Sequence, residues 1–508
     1  MVSQLSSPSG MAFNLVALCR IAPIRYPTLP PFDPSESYPE LEGNQSYSSE
    51  GNGVFRAVRD ILSILRLDEM NQGTSRWNPL RDLVNEGGSV VIKPNLVSEP
   101  RGAESDSRAI VTHGSVIRPI IDYAIKAVGD GGEITVADAP QFDSDFGQII
   151  KLNGLKETVD ILSERTGMNI GLLDLRLERV DVKDGVIKNR HELSGDPKGY
   201  TIVNLGSNSR LAEIESVCHR LRGSDYDRSV TTFHHSQSRH EYFISNTALE
   251  ADCVISVPKL KTHKKAGVTL NLKNFVGVNG SKNFIPHYRI GTIRKGGDEF
   301  NESGLRARSM AIAYEVAQRT LPRAGAVGSS AMSLLKQMDD FIVTGDQEFH
   351  RSGDWYGNDT VWRSILDLYS IVLNRKAKDG EDGQSSGNLL SIVDGVIGGE
   401  GEGPLSPDPI TAGILLGGRS LVAVDIAAIA CMGFDITMFP TYSQMQSPSC
   451  DMDIEEFADW IEVRSVGDDN EINMNDLRRT CKRAFKLPSG WTDRHFIREH
   501  RPTQMSEF

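Results

Sequence analysis

Between Cys253 and Gly297 the chain carries no aspartate or glutamate, yet it holds Lys259, Lys261, Lys264, Lys265, Lys273, Lys282, Arg289, Arg294 and Lys295. With 68 acidic residues in 508, an even spread would put about six in that window. A solvated basic surface is normally interspersed with acids, so such an island in a chain of net charge −13 points to an anion site. Pro258-Lys259-Leu260-Lys261-Thr262-His263 follows the apolar run Val254–Val257, and ligands of open α/β sheets collect outside the carboxyl ends of strands. Gly267-Val268-Thr269-Leu270-Asn271-Leu272-Lys273-Asn274 then sets a lysine and two amides in an otherwise apolar run. Buried, such groups must be paired. Either Lys273 and Asn274 orient a ligand carboxylate or phosphate, or the amides tie down a loop.

Other segments offer matching chemistry. Lys93-Pro94-Asn95 ends an apolar run, and Thr112 precedes a helix whose free amides would attract an anion. Lys93, Asn95, Thr112, Lys259, Lys261, Lys273 and Asn274 are therefore the candidate ligand contacts. Asp138 ends a further run, where a carboxylate suits a general base or a metal ligand, and a turn-forming aspartate is the alternative. Glycine-rich Gly398-Gly399-Glu400-Gly401-Glu402-Gly403-Pro404 permits close backbone approach, and Glu402 is the candidate for placing a divalent cation such as Mg²⁺. His234, His235 and His240 crowd one polar stretch without H-x-x-H spacing. Proton transfer by His235 or His263 is the favoured reading over metal binding. Neither G-x-x-x-x-G-K-[ST] nor G-x-G-x-x-G after the first strand is present.

The elements that would position these groups follow from periodicity. Val54, Val58, Ile61, Leu62 and Leu65 recur at helical spacing, as do Val116, Ile120, Ile121, Ala124 and Val128 behind Ser115 as the expected cap. Leu155, Val159 and Leu162 predict a third helix, stopped by Gly167. Ser89–Lys93, Glu133–Ala137, Val254–Val257, Leu389–Val393 and Gly413–Leu416 read as strands, and Leu421–Met432 as a helix. Strand, helix, strand with short glycine connections predicts an α/β fold: a Rossmann-like, mostly parallel sheet flanked by helices, with two insertions of mixed α and β structure. Residues 1–86 form a lead-in with one helix, 87–435 the α/β domain with insertions at about 175–245 and 283–350, and 436–508 a loop-rich extension with a short helix near 475–485. Within the second insertion, 310–321 reads as helical.

Composition narrows the function. An acidic chain lacks the basic face that nucleic acid or an anionic membrane requires, and no run approaches a membrane span. Met11–Cys19 is broken by Arg20 and Pro23 and reads as a first strand rather than an export signal, which makes the cytoplasm the expected location. The six cysteines, at 19, 218, 253, 431, 450 and 481, include no C-x-x-C pair, so no iron–sulfur cluster is expected. Cofactor needs beyond a divalent cation, and oligomeric state, stay open.

Val91-Ile92-Lys93-Pro94-Asn95-Leu96-Val97, the two lysine motifs, and Val393-Asp394-Gly395 through Gly403-Pro404, closed by Ala423-Val424-Asp425 and Gly433, together resemble the family called domain of unknown function 362. The resemblance spans roughly Gly87 to Asp435. It implies one α/β domain with a shared pocket and no established reaction. Many relatives carry a ferredoxin-like cysteine cluster, which this chain lacks. Trp355-Tyr356-Gly357-Asn358-Asp359-Thr360, with Trp362 and Asp367, resembles a subgroup associated with polysaccharide-type biosynthetic loci. The expectation is thus an enzyme of isomerase or transferase type acting on an anionic, phosphorylated or carboxylated metabolite, with carbohydrate or polysaccharide biosynthesis as its setting. A metal-dependent racemase of 2-hydroxy acids, on a loose resemblance to lactate racemase, and a non-catalytic metabolite sensor are the alternatives.

Overall fold

A computed structural model describes residues 14–41, 46–102, 104–183, 186–224, 228–301, 309, 312, 349–375, 388–445, 453–466, 472–479 and 483–491. The main sheet is built from β1 (Leu15–Arg20), β2 (Ser89–Pro94), β3 (Glu133–Asp138), β4 (Ile170–Asp174), β5 (Cys253–Val257), β6 (Lys259–His263), β7 (Gly267–Val268), β8 (Asn388–Glu400), β9 (Asp408–Gly418) and β10 (Glu462–Ser465). Its order is β10-β1-β9-β8-β5-β2-β3-β4, with β6 paired to β8 and β7. β8, β5, β2, β3 and β4 run parallel, while β9 is antiparallel to both β8 and β1.

Alternation along the strands sorts side chains onto two faces. Leu15, Ala17 and Cys19 of β1 pack on one side with Val90, Ile92, Ile134 and Val136. The helices α1 (Gly53–Ile64), α2 (Gly114–Val128) and α4 (Leu155–Thr166), joined by a short α3 (Phe146–Leu152), cover that side with their apolar stripes. Val16 and Leu18 face the other side, covered by α5 (Leu270–Asn274), α6 (Val361–Leu373) and α7 (Leu421–Cys431). The side chain of His113, rather than Ser115, caps α2 by accepting the Ser115 amide.

Three stretches depart from expectation. The strand expected to end at Val393 runs on through Gly395–Glu400 as part of β8, because bare Cα atoms let β8 lie against Leu260, Ile414 and the Ala109 carbonyl. Lys259–His263, expected only to follow the strand Val254–Val257, is itself a fully buried strand. The polar segment Glu462–Ser465 adds an edge strand parallel to β1, so the sheet draws strands from the lead-in, the central region and the C-terminal stretch alike. The first insertion holds the hairpin Glu178–Lys183/Val186–Glu192 and the antiparallel pair Tyr200–Asn204/Arg239–Ser245. It is tied to α6 by Asp367, which accepts hydrogen bonds from the Arg210 amide and the Tyr242 hydroxyl, each at 2.8 Å. The helix expected over 310–321 lies almost wholly outside the described residues.

Candidate functional site

The lysines fall into two groups once their partners are counted. An ammonium has three protons to donate. At the end of β2, Lys93 Nζ meets Asp138 Oδ1 at 2.8 Å, the Pro94 carbonyl at 2.7 Å and Asn274 Oδ1 at 3.1 Å, so all three are used. Burial outweighs the adjacent Asp138 and holds the Lys93 pKa below the ordinary lysine value. The other oxygen of Asp138 accepts the Leu96 amide at 2.6 Å, which makes this aspartate an ion-pair partner rather than a free base. Lys259 pairs with Asp394 at 2.9 Å and donates to the Tyr26 hydroxyl at 2.7 Å, while Tyr26 donates back to Asp394 at 2.6 Å. Lys261 has no carboxylate partner. It donates to the Ile110 carbonyl at 2.5 Å, to the Pro404 carbonyl at 3.2 Å and to Asn95 Oδ1 at 3.4 Å. Burial, with Lys259 and Lys273 adding repulsion, pushes its pKa far down.

The Lys93–Asp138 pair also dictates a glycine. A Cβ on Gly277 would stand 1.9 Å from Asp138 Oδ1 and 2.7 Å from Lys93 Nζ. Gly277→Ala should therefore break a buried ion pair and lower the unfolding free energy by about 3–5 kcal/mol. Urea unfolding checks this, and a midpoint equal to the parent's would contradict it.

Beside this pair lies a cavity of about 450 Å³, at the carboxyl ends of β2, β3 and β6. Lys93, Asn95, Asp138, His263, Thr269, Lys273, Asn274, Lys282, His287 and Glu402 all line it. Lys273, half-buried, has no hydrogen-bond or ion-pair partner among the described residues. Burial, then Lys93 and Lys265, lower its pKa to about 8 against the opposing pull of Asp138. Lys282 donates once, to the Ala139 carbonyl at 2.6 Å, and its pKa is lowered to about 7, chiefly by burial. Thr269 Oγ1 is buried with no hydrogen-bond partner among the described residues. Asn95 turns its oxygen to Lys261, which leaves its amide protons for the cavity.

Two histidines complete the lining, fixed in opposite tautomers. His263 Nδ1 accepts the backbone amides of Lys265 at 3.1 Å and Ala266 at 3.3 Å, so its proton sits on Nε2. Burial and the surrounding lysines push its pKa far below the usual range. It is a neutral donor. His287 Nδ1 lies 2.8 Å from the Ile285 carbonyl, which can only accept, so its Nε2 carries a lone pair. Burial, then Lys273 and Lys265, lower its pKa to about 3.

Six basic side chains, Lys93, Arg101, Lys264, Lys265, Lys273 and Lys282, line the cavity against three acids, Asp138, Asp354 and Glu402. Each acid is already paired: Asp138 with Lys93, Asp354 with Lys265 at 2.6 Å, and Glu402 with Lys264 at 2.8 Å. Glu402 also accepts the Ser489 amide at 2.8 Å. Burial would raise the Glu402 carboxyl, but these two partners outweigh it and hold the pKa below the ordinary value. A donor set of spoken-for carboxylates among excess lysines does not fit Mg²⁺ at Glu402.

The geometry brings Lys93, Asn95, Asp138, His263, Lys273, Asn274 and Glu402 together and leaves four candidates apart, Lys259, Lys261, Thr112 and His235, with Lys261 spent on the carbonyls and the Asn95 oxygen named above. Lys259 is locked to Asp394 and does not line the cavity. Thr112 spends its hydroxyl on the Val257 carbonyl at 2.6 Å while accepting the Asn95 amide at 3.0 Å. His235 is buried in the first insertion with Nε2 2.9 Å from the Phe284 carbonyl. Asn274 lines the cavity, but its amide holds the Lys93 carbonyl at 2.8 Å and Ser256 at 3.1 Å. Asn271 likewise donates its amide to the Asp425 carboxylate at 2.8 Å, so both amides are tied into the scaffold. Sequence reasoning passed over Lys282, His287 and Thr269, although the acid-free window covers all three. A second cleft, about 680 Å³, opens by Glu133, Ile134 and Thr135 of β3, at the opposite end of the strands from the histidine pair.

Residues 193–430 match the family model described as Domain of unknown function (DUF362). Over this stretch the chain is similar to that family. No curated protein and no solved structure is similar enough to be matched to it. The DUF362 segment contains both lysine motifs, the glycine-rich end of β8 and most of α7. It begins after β2 and β3, so Lys93 and Asp138 reach the cavity from outside the matched segment, whereas the resemblance in sequence had run from Gly87.

Proposed function

We propose that this chain is an enzyme that binds a phosphorylated or carboxylated small metabolite in the cavity and moves a proton on it, as an isomerase or epimerase does. The observation that carries this reading is the unpartnered Lys273 ammonium facing a cavity that His263 and His287 line in opposite tautomers. Lys273 holds the anionic group. Asn95, Thr269 and the Nε2–H of His263 donate to a substrate oxygen, and stabilise negative charge that develops there. A neutral donor suits this task because it can strengthen its bond to an oxyanion without first losing a proton. The lone pair of His287 Nε2, or Lys282 in its neutral form, accepts the substrate proton. A pKa of about 7 keeps a working fraction of Lys282 unprotonated at neutral pH. An acidic chain with no described helix long and apolar enough to cross a membrane suits a cytoplasmic metabolite enzyme.

The test is incubation with sugar phosphates and hydroxy acids in deuterium oxide, followed by mass and proton spectra. Deuterium incorporation at one carbon of a bound compound, abolished in His287→Ala, supports the reading. Tight binding without exchange or turnover of any bound compound would instead identify a sensor.

The affinity should depend on pH with a definite sign. A bound anion favours charged Lys273, so its pKa rises from about 8 on binding. Affinity should be full below about pH 8 and fall about tenfold per unit above it, with proton uptake on binding. Calorimetry with a sugar phosphate in buffers of different ionisation enthalpy measures both. A constant affinity from pH 7 to 9.5 would remove Lys273 from the contact.

A further inference from the structure

A second cluster lies in the first insertion, away from the residues that line the cavity. Arg210–Arg220 forms 3₁₀ structure broken at Ile214, and after the break Glu215 and Cys218 stand three residues apart. Residues i and i+3 eclipse in a 3₁₀ helix, so both side chains leave the same face. Strand Arg239–Ser245 presents His240 to that face. A carboxylate oxygen of Glu215, the Cys218 sulfur and a ring nitrogen of His240 all lie within 4.8 Å of one another.

His240 is the informative member. It is completely buried, and neither ring nitrogen has a hydrogen-bond partner among the described residues. Its Nε2 stands 3.1 Å from Glu215 Oε2, yet neither atom achieves hydrogen-bond geometry with the other, and Glu215 Oε2 is itself buried and unsatisfied. Cys218 Sγ donates weakly to the Leu211 and Ile214 carbonyls, at 3.7 and 3.6 Å. Buried polar atoms without partners are rare, because each costs about 1–3 kcal/mol. Two atoms that approach but do not aim at each other are placed to share a third. Across a tetrahedral zinc ion, nitrogen and oxygen ligands at about 2.0–2.1 Å stand roughly 3.3 Å apart.

We propose that Glu215, Cys218 and His240 form a zinc site with its fourth position left to water. The donor set decides the metal. A thiolate and an imidazole with one carboxylate suit zinc and are poor ligands for Mg²⁺ or Ca²⁺, which take oxygen. Glu215, the half-exposed member, leaves a path for the ion and for water. The site also pins the strand carrying His240 to the 3₁₀ segment that Asp367 fastens to α6.

The test uses the full chain, freed of any tag and stripped with chelator, titrated with zinc alone and separately with cobalt(II). One zinc per chain at micromolar affinity or tighter is expected, together with a thiolate-to-cobalt charge-transfer band. Cys218→Ser and His240→Ala should each weaken zinc at least a hundredfold, and Cys218→Ser should lose the band. Absence of stoichiometric zinc, a parent cobalt complex without the thiolate band, or parental affinity in either variant overturns the proposal. The parent's cobalt spectrum decides the matter even where a variant fails to fold.

Discussion

Lys273→Ala should bind anionic metabolites about 30-fold to several-thousand-fold more weakly than the parent, the range for truncating a shielded charge contact worth about 2–5 kcal/mol. The same variant should melt no lower than the parent. Lys273 has no partner to strand among the described residues, and its pKa of about 8 shows that burial and the neighbouring cations oppose its charge. Removing it relieves that cost at neutral pH. The sign can be checked further. Between its folded value near 8 and its ordinary value near 10.5 the unfolded chain holds the proton that the folded chain has lost. Parent stability should therefore rise with pH across that interval, and Lys273→Ala should flatten the rise. Thermal shifts with and without sugar phosphates separate the effects. A variant that melts lower and keeps every ligand-induced shift would make Lys273 part of the scaffold.

Lys259→Met should behave in the opposite way. Lys259 and Asp394 are both fully buried, so removing the ammonium leaves a carboxylate held by neutral donors, the Tyr26 hydroxyl and the backbone amides of His113 at 3.0 Å and Val396 at 3.3 Å. Stranding one member of a buried pair costs about 3–5 kcal/mol. Ligand affinity of the folded fraction should stay at the parent's value, since Lys259 does not line the cavity. Lys259→Met combined with Asp394→Leu should recover much of the loss, because two apolar residues of similar bulk replace a pair that was itself costly to desolvate. Urea unfolding of the single and double variants gives the answer. A single variant as stable as the parent would mean that Asp394 finds a partner elsewhere or takes up a proton.

These two lysines show what the sequence could and could not convey. Both sit in the acid-free window, and residue type alone does not separate them. The difference lies in partners far along the chain: Asp394 on β8 reaches Lys259, while Asp138 on β3 is spent on Lys93 and leaves Lys273 alone. Strands β2, β3 and β5 and helices α1, α2, α4 and α7 were legible because burial on one or both faces imposes a period on apolar residues. The edge strand Glu462–Ser465 was not, since its sequence is polar and only Val463 is fully buried. The strand was expected to end at Val393, before the glycine-rich end of β8, because glycine signals both a turn and a close strand contact. The acid-free window located the cavity, but the tautomers that give His263 and His287 separate roles come from backbone atoms of neighbouring turns.

The most direct test of the account is a crystal of the full chain grown at pH 7 with tungstate, a tetrahedral oxyanion with strong anomalous scattering. The expected result is one anomalous peak in the cavity within hydrogen-bonding reach of Lys273 Nζ and His263 Nε2, absent from crystals of Lys273→Ala. Tungstate bound only outside the cavity, or a cavity peak that survives Lys273→Ala unchanged, would contradict it.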